Sequence, residues 1–255
     1  MLGLMQNQPL LISSLIDFAE RHHADGEIVS RRVEGDIHRS TWGDVARRAR
    51  QVANALDGMQ LAQGTRVATL AWNGYRHLEM YFGVSGSGRL LHTLNPRLSP
   101  DQIVWIANHA EDQVLCFDMS FLSLVQAVHS TRGTIKHFVA LCDAPKLPAD
   151  SGIPNLQSYE AWMGHQRATY TWPSFDENTA SSMCYTSGTT GNPKAALYSH
   201  RSTILHAYAA ALPDVMSLSA RDSVRSRALQ YSVSKSRLYW NMLARSSAPG
   251  KPNVR

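Results

Sequence analysis

Tyr185-Thr186-Ser187-Gly188-Thr189-Thr190-Gly191-Asn192-Pro193-Lys194 places four Ser/Thr hydroxyls, two glycines and a lysine within ten residues. Ser182-Met183-Cys184 leads into the stretch and Ala195-Ala196-Leu197-Tyr198-Ser199 leaves it. Both flanks read as short strands, over 181–186 and 195–199, so the stretch is expected to be a loop joining two strands. Glycines carry no Cβ and let backbone amides approach an anion closely. The hydroxyls add donors, and Lys194 brings a compact positive charge. Together they suit a chain of phosphates, whose charge is spread over many oxygens. An ordinary hairpin turn needs two or three special residues, not seven in ten. The spacing is not that of the usual P-loop, in which Gly-Lys-Ser/Thr follows the first glycine by four residues. Here Asn192-Pro193 separates glycine from lysine, and no helical pattern begins at Lys194.

Upstream of the loop the pattern alternates. Residues 10–23 have Leu11, Leu15 and Phe18 near helical spacing. Ile28-Val29 and Ile37-His38-Arg39 flank Glu34-Gly35-Asp36 and read as a hairpin. Thr41 is placed to cap a helix with Val45, Ala49, Val52 and Leu56 on its buried face. Strands at 67–70, 90–93, 114–117 and 138–141 then alternate with helices over 73–84, from Ser99-Pro100-Asp101, and over 120–129. Ser99 is the expected N-cap, with proline at the first helical position. A helix over 201–211 follows the loop. This rhythm predicts an α/β fold, a largely parallel sheet covered by helices on both faces. Residues 143–174, interrupted by prolines, are expected to be a surface excursion with one short helix.

A chain of 255 residues with 44% hydrophobic content can bury a substantial core. Cys116, Cys142 and Cys184 lie far apart in apolar runs and read as buried thiols of a reducing compartment, so a cytoplasmic location is expected. No early lysine or arginine marks a signal peptide, and no apolar run is long enough to span a bilayer. The net charge of +5 is uneven. Residues 223–255 hold seven Lys or Arg and no Asp or Glu, which leaves 1–222 at −2. The histidines are scattered, without His-x-x-x-His beside a glutamate, and there is no Cys-x-x-Cys, so a metal site of protein ligands alone is not expected. Gly83-Val84-Ser85-Gly86-Ser87-Gly88 fits neither a dinucleotide fingerprint nor a nucleophile elbow and reads as a helix end. His200-Arg201 reads as a strand end and a first helical turn rather than a ligand contact.

The loop resembles the signature of adenylate-forming enzymes. Phe175-Asp176-Glu177-Asn178-Thr179-Ala180, Leu197-Tyr198-Ser199-His200-Arg201-Ser202, Ala71-Trp72-Asn73-Gly74-Tyr75-Arg76-His77 and Leu94-Asn95-Pro96-Arg97-Leu98 resemble the fatty-acyl-CoA synthetase branch, and medium-chain ligases most of all. The resemblance implies the N-terminal part of that family's large domain over 1–222. It implies ATP with Mg²⁺, and coenzyme A as co-substrate, in the joining of a fatty acid to CoA through an acyl-adenylate. It also implies that Thr186, Ser187, Gly188, Thr189, Thr190, Gly191 and Lys194 hold the β- and γ-phosphates, with Thr186 near Mg²⁺. Small molecules are then the partners, with neither specific nucleic acid nor a membrane span.

Two departures matter. Ala195 stands where the family has glycine, which would cost on the order of 1 kcal/mol if that position needed φ > 0 and nothing in ordinary strand geometry. After Asp222 the resemblance stops. Segments like those that hold adenine and ribose are missing, as is the family's catalytic lysine. Residues 223–255 are expected to be an unrelated basic tail, frame-shifted or disordered, with a genuine regulatory tail or a splice-like variant as the alternatives; translation of the coding DNA in all three frames would separate them. The chain alone is therefore expected to lack adenylation activity. A non-enzymatic nucleotide- or polyphosphate-binding protein, or one that pairs with a ligase, is the alternative. A basic-tailed nucleic-acid binder ranks last, because nothing in the body supports it.

Overall fold

The computed structural model describes residues 3–186 and 193–215. The loop residues Ser187, Gly188, Thr189, Thr190, Gly191 and Asn192, and the expected boundary at 222–223, lie outside the described residues.

The predicted alternation is present. The first helix, α1, spans Ile12–His23, and a separate antiparallel hairpin pairs β1 (Glu27–Arg31) with β2 (Ile37–Thr41). Helix α2 (Trp42–Gly58) starts in a capping box: the Asp44 N–H donates to Thr41 Oγ1 at 3.2 Å and the Thr41 N–H to Asp44 Oδ2 at 3.1 Å. Val45, Ala49, Val52 and Leu56 form its buried face. There follow β3 (Arg66–Leu70), α3 (Tyr75–Gly86), β4 (Leu90–Thr93), α4 (Pro100–His109), β5 (Val114–Phe117), α5 (Leu122–Ser130) and β6 (His137–Ala140). Ser99 and Gln102 make a second capping box, with Pro100 opening α4.

The main sheet has the order β7-β6-β5-β3-β4-β8-β9, with β7 at Gln157–Ser158, β8 at Ala180–Thr186 and β9 at Lys194–Ser199. Every neighbouring pair is parallel except β8–β9. Alternate strand residues feed opposite cores. Val67, Leu91, Val114, Cys116 and Val139 face the layer of α1, α2, α3 and the later helices α6 (Tyr159–Gly164) and α7 (His200–Ala211). Ala68, Leu70, Leu115, Phe117 and Phe138 face α4 and α5. Burial on both faces explains why these strands are continuously apolar rather than alternating. Among the described residues, no helix is long and apolar enough to cross a membrane.

The second half of 143–174 is not a surface excursion. Gln157–Ser158 adds β7 to the sheet beside β6, and α6 follows at once, with Ser158 Oγ accepting the Ala161 N–H at 3.2 Å. Tyr159, Trp162 and Met163, at helical spacing, are buried beneath it. Polar contacts fasten it as well. Glu160 receives the guanidinium groups of Arg48 and Arg76, and the Tyr159 hydroxyl donates to Glu79 at 2.8 Å.

Candidate functional site: the β8–β9 hairpin

Because β8 runs parallel to β4, its end lies at the carboxyl edge of the sheet, where open α/β sheets place ligands. Thr186 ends β8 and Lys194 begins β9, the two facing each other in register. The Thr186 hydroxyl donates across this mouth to the Lys194 carbonyl at 3.3 Å. Lys194 is exposed and forms no ion pair among the described residues, so its ammonium is available to an anion. The strands flanking the loop thus sit where the sequence places them.

Ala195 lies within β9, paired with Tyr185, and is not among the residues with positive φ. A methyl group is at home in extended backbone, so the departure from glycine carries no conformational penalty here.

The residues beneath the mouth were not singled out by the sequence. Tyr185 shares a 2.6 Å hydrogen bond with His109 Nδ1, and Trp105 packs edge-on against its ring. Burial, with Asp112 second, pushes the Tyr185 hydroxyl above its ordinary value. Deeper, His92 Nδ1 lies 2.8 Å from Asp112, both side chains fully buried, and burial raises the Asp112 carboxyl. The signal for this cluster was weak, since its members come from three separate stretches, around His92, over 105–112 and at Tyr185. Only the aromatic at the head of the motif hinted that the loop stands on a packed base.

His200 and Arg201 sit at the opposite end of β9 and do structural work. Arg201 pairs with Glu177, whose other carboxylate oxygen accepts the Leu10 N–H at 2.7 Å. His200 is fully buried, accepts the Ile12 N–H through Nδ1 at 3.2 Å and packs edge-on against Phe175. Burial lowers its pKa from 6.5 to about 4. The unfolded chain therefore takes up the proton first, and stability present above pH 6.5 is lost as pH falls toward 4. The loss should reach about 2 kcal/mol at pH 5. Asp118, raised by burial to about 7, acts in the opposite sense, so the test is a comparison with a variant. His200→Asn keeps an acceptor near Ile12, and urea unfolding at pH 7 and pH 5 should show its acid-induced loss smaller than that of the wild type by that amount. Equal losses would exclude His200 as the titrating group.

Cys116 and Cys142 are buried, whereas Cys184, in the hairpin, is only partly so. All three are free thiols.

The sequence model of the family described as AMP-binding enzyme matches residues 16–242. A 3-methylmercaptopropionyl-CoA ligase of Ruegeria lacuscaerulensis is 51% identical over 224 residues, which are 88% of this chain and 41% of that protein. A medium-chain-fatty-acid–CoA ligase of Ectopseudomonas oleovorans is 47% identical over the same shares. Among solved structures, the inhibitor-bound N-terminal domain of FACL13 from Mycobacterium tuberculosis superposes with a TM-score of 0.75 at 17% identity, covering 91% of this chain and 55% of that one. The chain thus spans less than half the length of the curated relatives it matches. It belongs to the AMP-binding enzyme family, within the acyl-CoA ligases, and corresponds to their N-terminal part.

Proposed function

We propose that this chain is the phosphate-gripping part of an AMP-forming acyl-CoA ligase for a medium-chain or similarly short carboxylic acid. The observation that carries this is the Thr186–Lys194 mouth: a hydroxyl and an exposed lysine, without an ion pair among the described residues, bracketing the Gly/Thr-rich stretch at the carboxyl edge of a parallel sheet. The medium-chain reading draws on the 47% identical relative, and the 51% identical one acts by name on a short thioether acid.

In the proposed reaction a carboxylate attacks the α-phosphorus of ATP, pyrophosphate leaves, and the thiol of coenzyme A then displaces AMP from the acyl-adenylate. Lys194 and the loop amides offset charge on the β- and γ-phosphates, so that the carboxylate can approach in line. Thr186 fits a place beside Mg²⁺, because its hydroxyl acts as donor in its bond to Lys194 and keeps its lone pairs. The ion, when bound, would supply further charge neutralisation, and it needs few protein ligands. Groups that position adenine and ribose have no counterpart in the sequence, so the chain by itself binds without completing adenylation.

Calorimetry with Mg-ATP tests this directly. Lys194→Ala should weaken binding roughly 10- to 100-fold, the worth of one charge-assisted contact. Equal affinity for both proteins would remove the loop from the site. Octanoate-dependent ATP–pyrophosphate exchange should be absent, and robust exchange by the chain alone would overturn the assignment of an incomplete site.

A further inference from the structure

The end of β8 is held unevenly. Its pairing with β4 runs from Leu91–Ser182 to Thr93–Cys184, whereas its pairing with β9 continues to Thr186–Lys194. Tyr185 and Thr186 therefore project past β4, and among the described residues β9 is the one strand that accompanies them. A two-stranded end is only marginally ordered by its own hydrogen bonds. What ties it to the body is the Tyr185 side chain. The Tyr185 hydroxyl and His109 Nδ1 are 2.6 Å apart. The His109 ring is stacked on Trp105, with centroids 4.6 Å apart and planes at 20°, which fixes the direction in which Nδ1 points. Trp105 also meets the Tyr185 ring edge-on at 6.3 Å. Below, the His92 ring lies 5.4 Å from that of Tyr185, and both Asp112 carboxylate oxygens lie within 2.9 Å of His92 Nδ1, so this floor cannot rotate. Helix α4, which carries Trp105 and His109, is fastened at its other end by the Ser99 capping box.

We infer that Tyr185 is a positioning residue for the phosphate grip: His109 latches its hydroxyl, and the latch holds the projecting end of β8 so that Thr186 and Lys194 face each other before an anion arrives. The inference rests on the phosphate-loop reading above and adds the residues that pre-form the site. Tyr185 acts through its neighbours, since Thr186 follows it directly and Lys194 is paired with Thr186. A site ordered in advance loses less freedom on binding, so the latch contributes to affinity although it lies on the α4 side of the strand. The latch is also separable from the fold. His109 is exposed, and Tyr185 keeps its ring packing when only the hydroxyl is removed.

Two measurements on the full chain test this. Hydrogen exchange followed by mass spectrometry, without ligand, should show the amides of Thr186 and Lys194 exchanging at least 5-fold faster in Tyr185→Phe and His109→Ala, with α2 and β3 unchanged. His109→Asn, whose amide falls close to the place of Nδ1, should restore most of the protection. Calorimetry with Mg-ATP should show binding about 3- to 10-fold weaker for Tyr185→Phe and His109→Ala, the worth of one ordinary hydrogen bond, and a return toward wild-type affinity for His109→Asn. In a Lys194→Ala background Tyr185→Phe should add less than 2-fold, because a residue that acts through Lys194 then has little left to position. Unchanged exchange at Thr186 and Lys194 would overturn the latch. So would unchanged affinity in Tyr185→Phe beside a weakened Lys194→Ala, or equal losses in both backgrounds, which would make Tyr185 a packing contact alone. Faster exchange with an affinity that even Lys194→Ala leaves intact would keep the latch and place the failure in the phosphate-loop reading.

Discussion

Arg48→Ala is expected to lower the free energy of unfolding by about 3–5 kcal/mol, the cost of leaving a buried charge without its partner. Glu79 on α3 is wholly buried. One carboxylate oxygen accepts from Arg48 Nε at 2.7 Å and the other from the Tyr159 hydroxyl at 2.8 Å. Burial pushes the Glu79 carboxyl upward, and the Arg48 guanidinium is the main influence opposing it. Without Arg48 the carboxyl can escape its penalty only by taking a proton, so the variant should lose less stability at pH 5 than at pH 8. Arg48 also grips Glu160 of α6 through both terminal nitrogens at 3.0 Å, so one guanidinium ties three helices together. Urea unfolding of Arg48→Ala, Glu79→Gln and the double variant tests the idea as a cycle. The double variant should lose clearly less than the two single losses combined. Additive losses, or a loss below 1 kcal/mol for Arg48→Ala, would refute the coupling.

Gly83→Ala should cost about 2–3 kcal/mol, although alanine in a helix interior usually gains about 1 kcal/mol over glycine. A Cβ on Gly83 would lie 2.7 Å from Val52 Cβ and 2.8 Å from the Ala49 carbonyl oxygen. The second contact is backbone and cannot rotate away, so α2 and α3 would have to separate. Gly58, at the end of α2, has nothing within 4 Å of the corresponding position and makes the control. Gly58→Ala should leave the urea midpoint nearly unchanged. A neutral Gly83→Ala would mean that the helices are not in contact at this point.

Elements whose signals are local were legible in the sequence. The Thr41 and Ser99 caps and the two strands bracketing the loop are set by neighbouring residues, and each falls within about a residue of its expected place. The parallel sheet followed from alternation alone. What escaped depends on distant partners. Two residues, Gln157–Ser158, carry no periodicity, and they are a strand only because β6 offers an edge. The short helix α6 read as part of a surface excursion, because nothing in its own stretch shows that Arg48 and Arg76 meet Glu160. Likewise His92, Asp112, His109 and Tyr185 meet only when β4, α4 and β8 are assembled, and no spacing in the chain announces that. The proposed phosphate-binding role of the loop rests on the chemistry of ten consecutive residues, Tyr185 to Lys194.

The bonds that Glu177 and His200 make to Leu10 and Ile12 also bear on the order in which the protein is made. Helix α1 leaves the ribosome before the sheet it packs on, yet Leu11 gives it no side-chain cap, and the amides of Leu10 and Ile12 are satisfied by residues synthesised 167 and 188 positions later. The first described helix is thus finished by the last described segment. A nascent chain that stalls before residue 200 holds an incomplete first helix, and completion of α1 coincides with arrival of the strand that carries Lys194. Beginning and end of the described fold close together, as a clasp around the sheet.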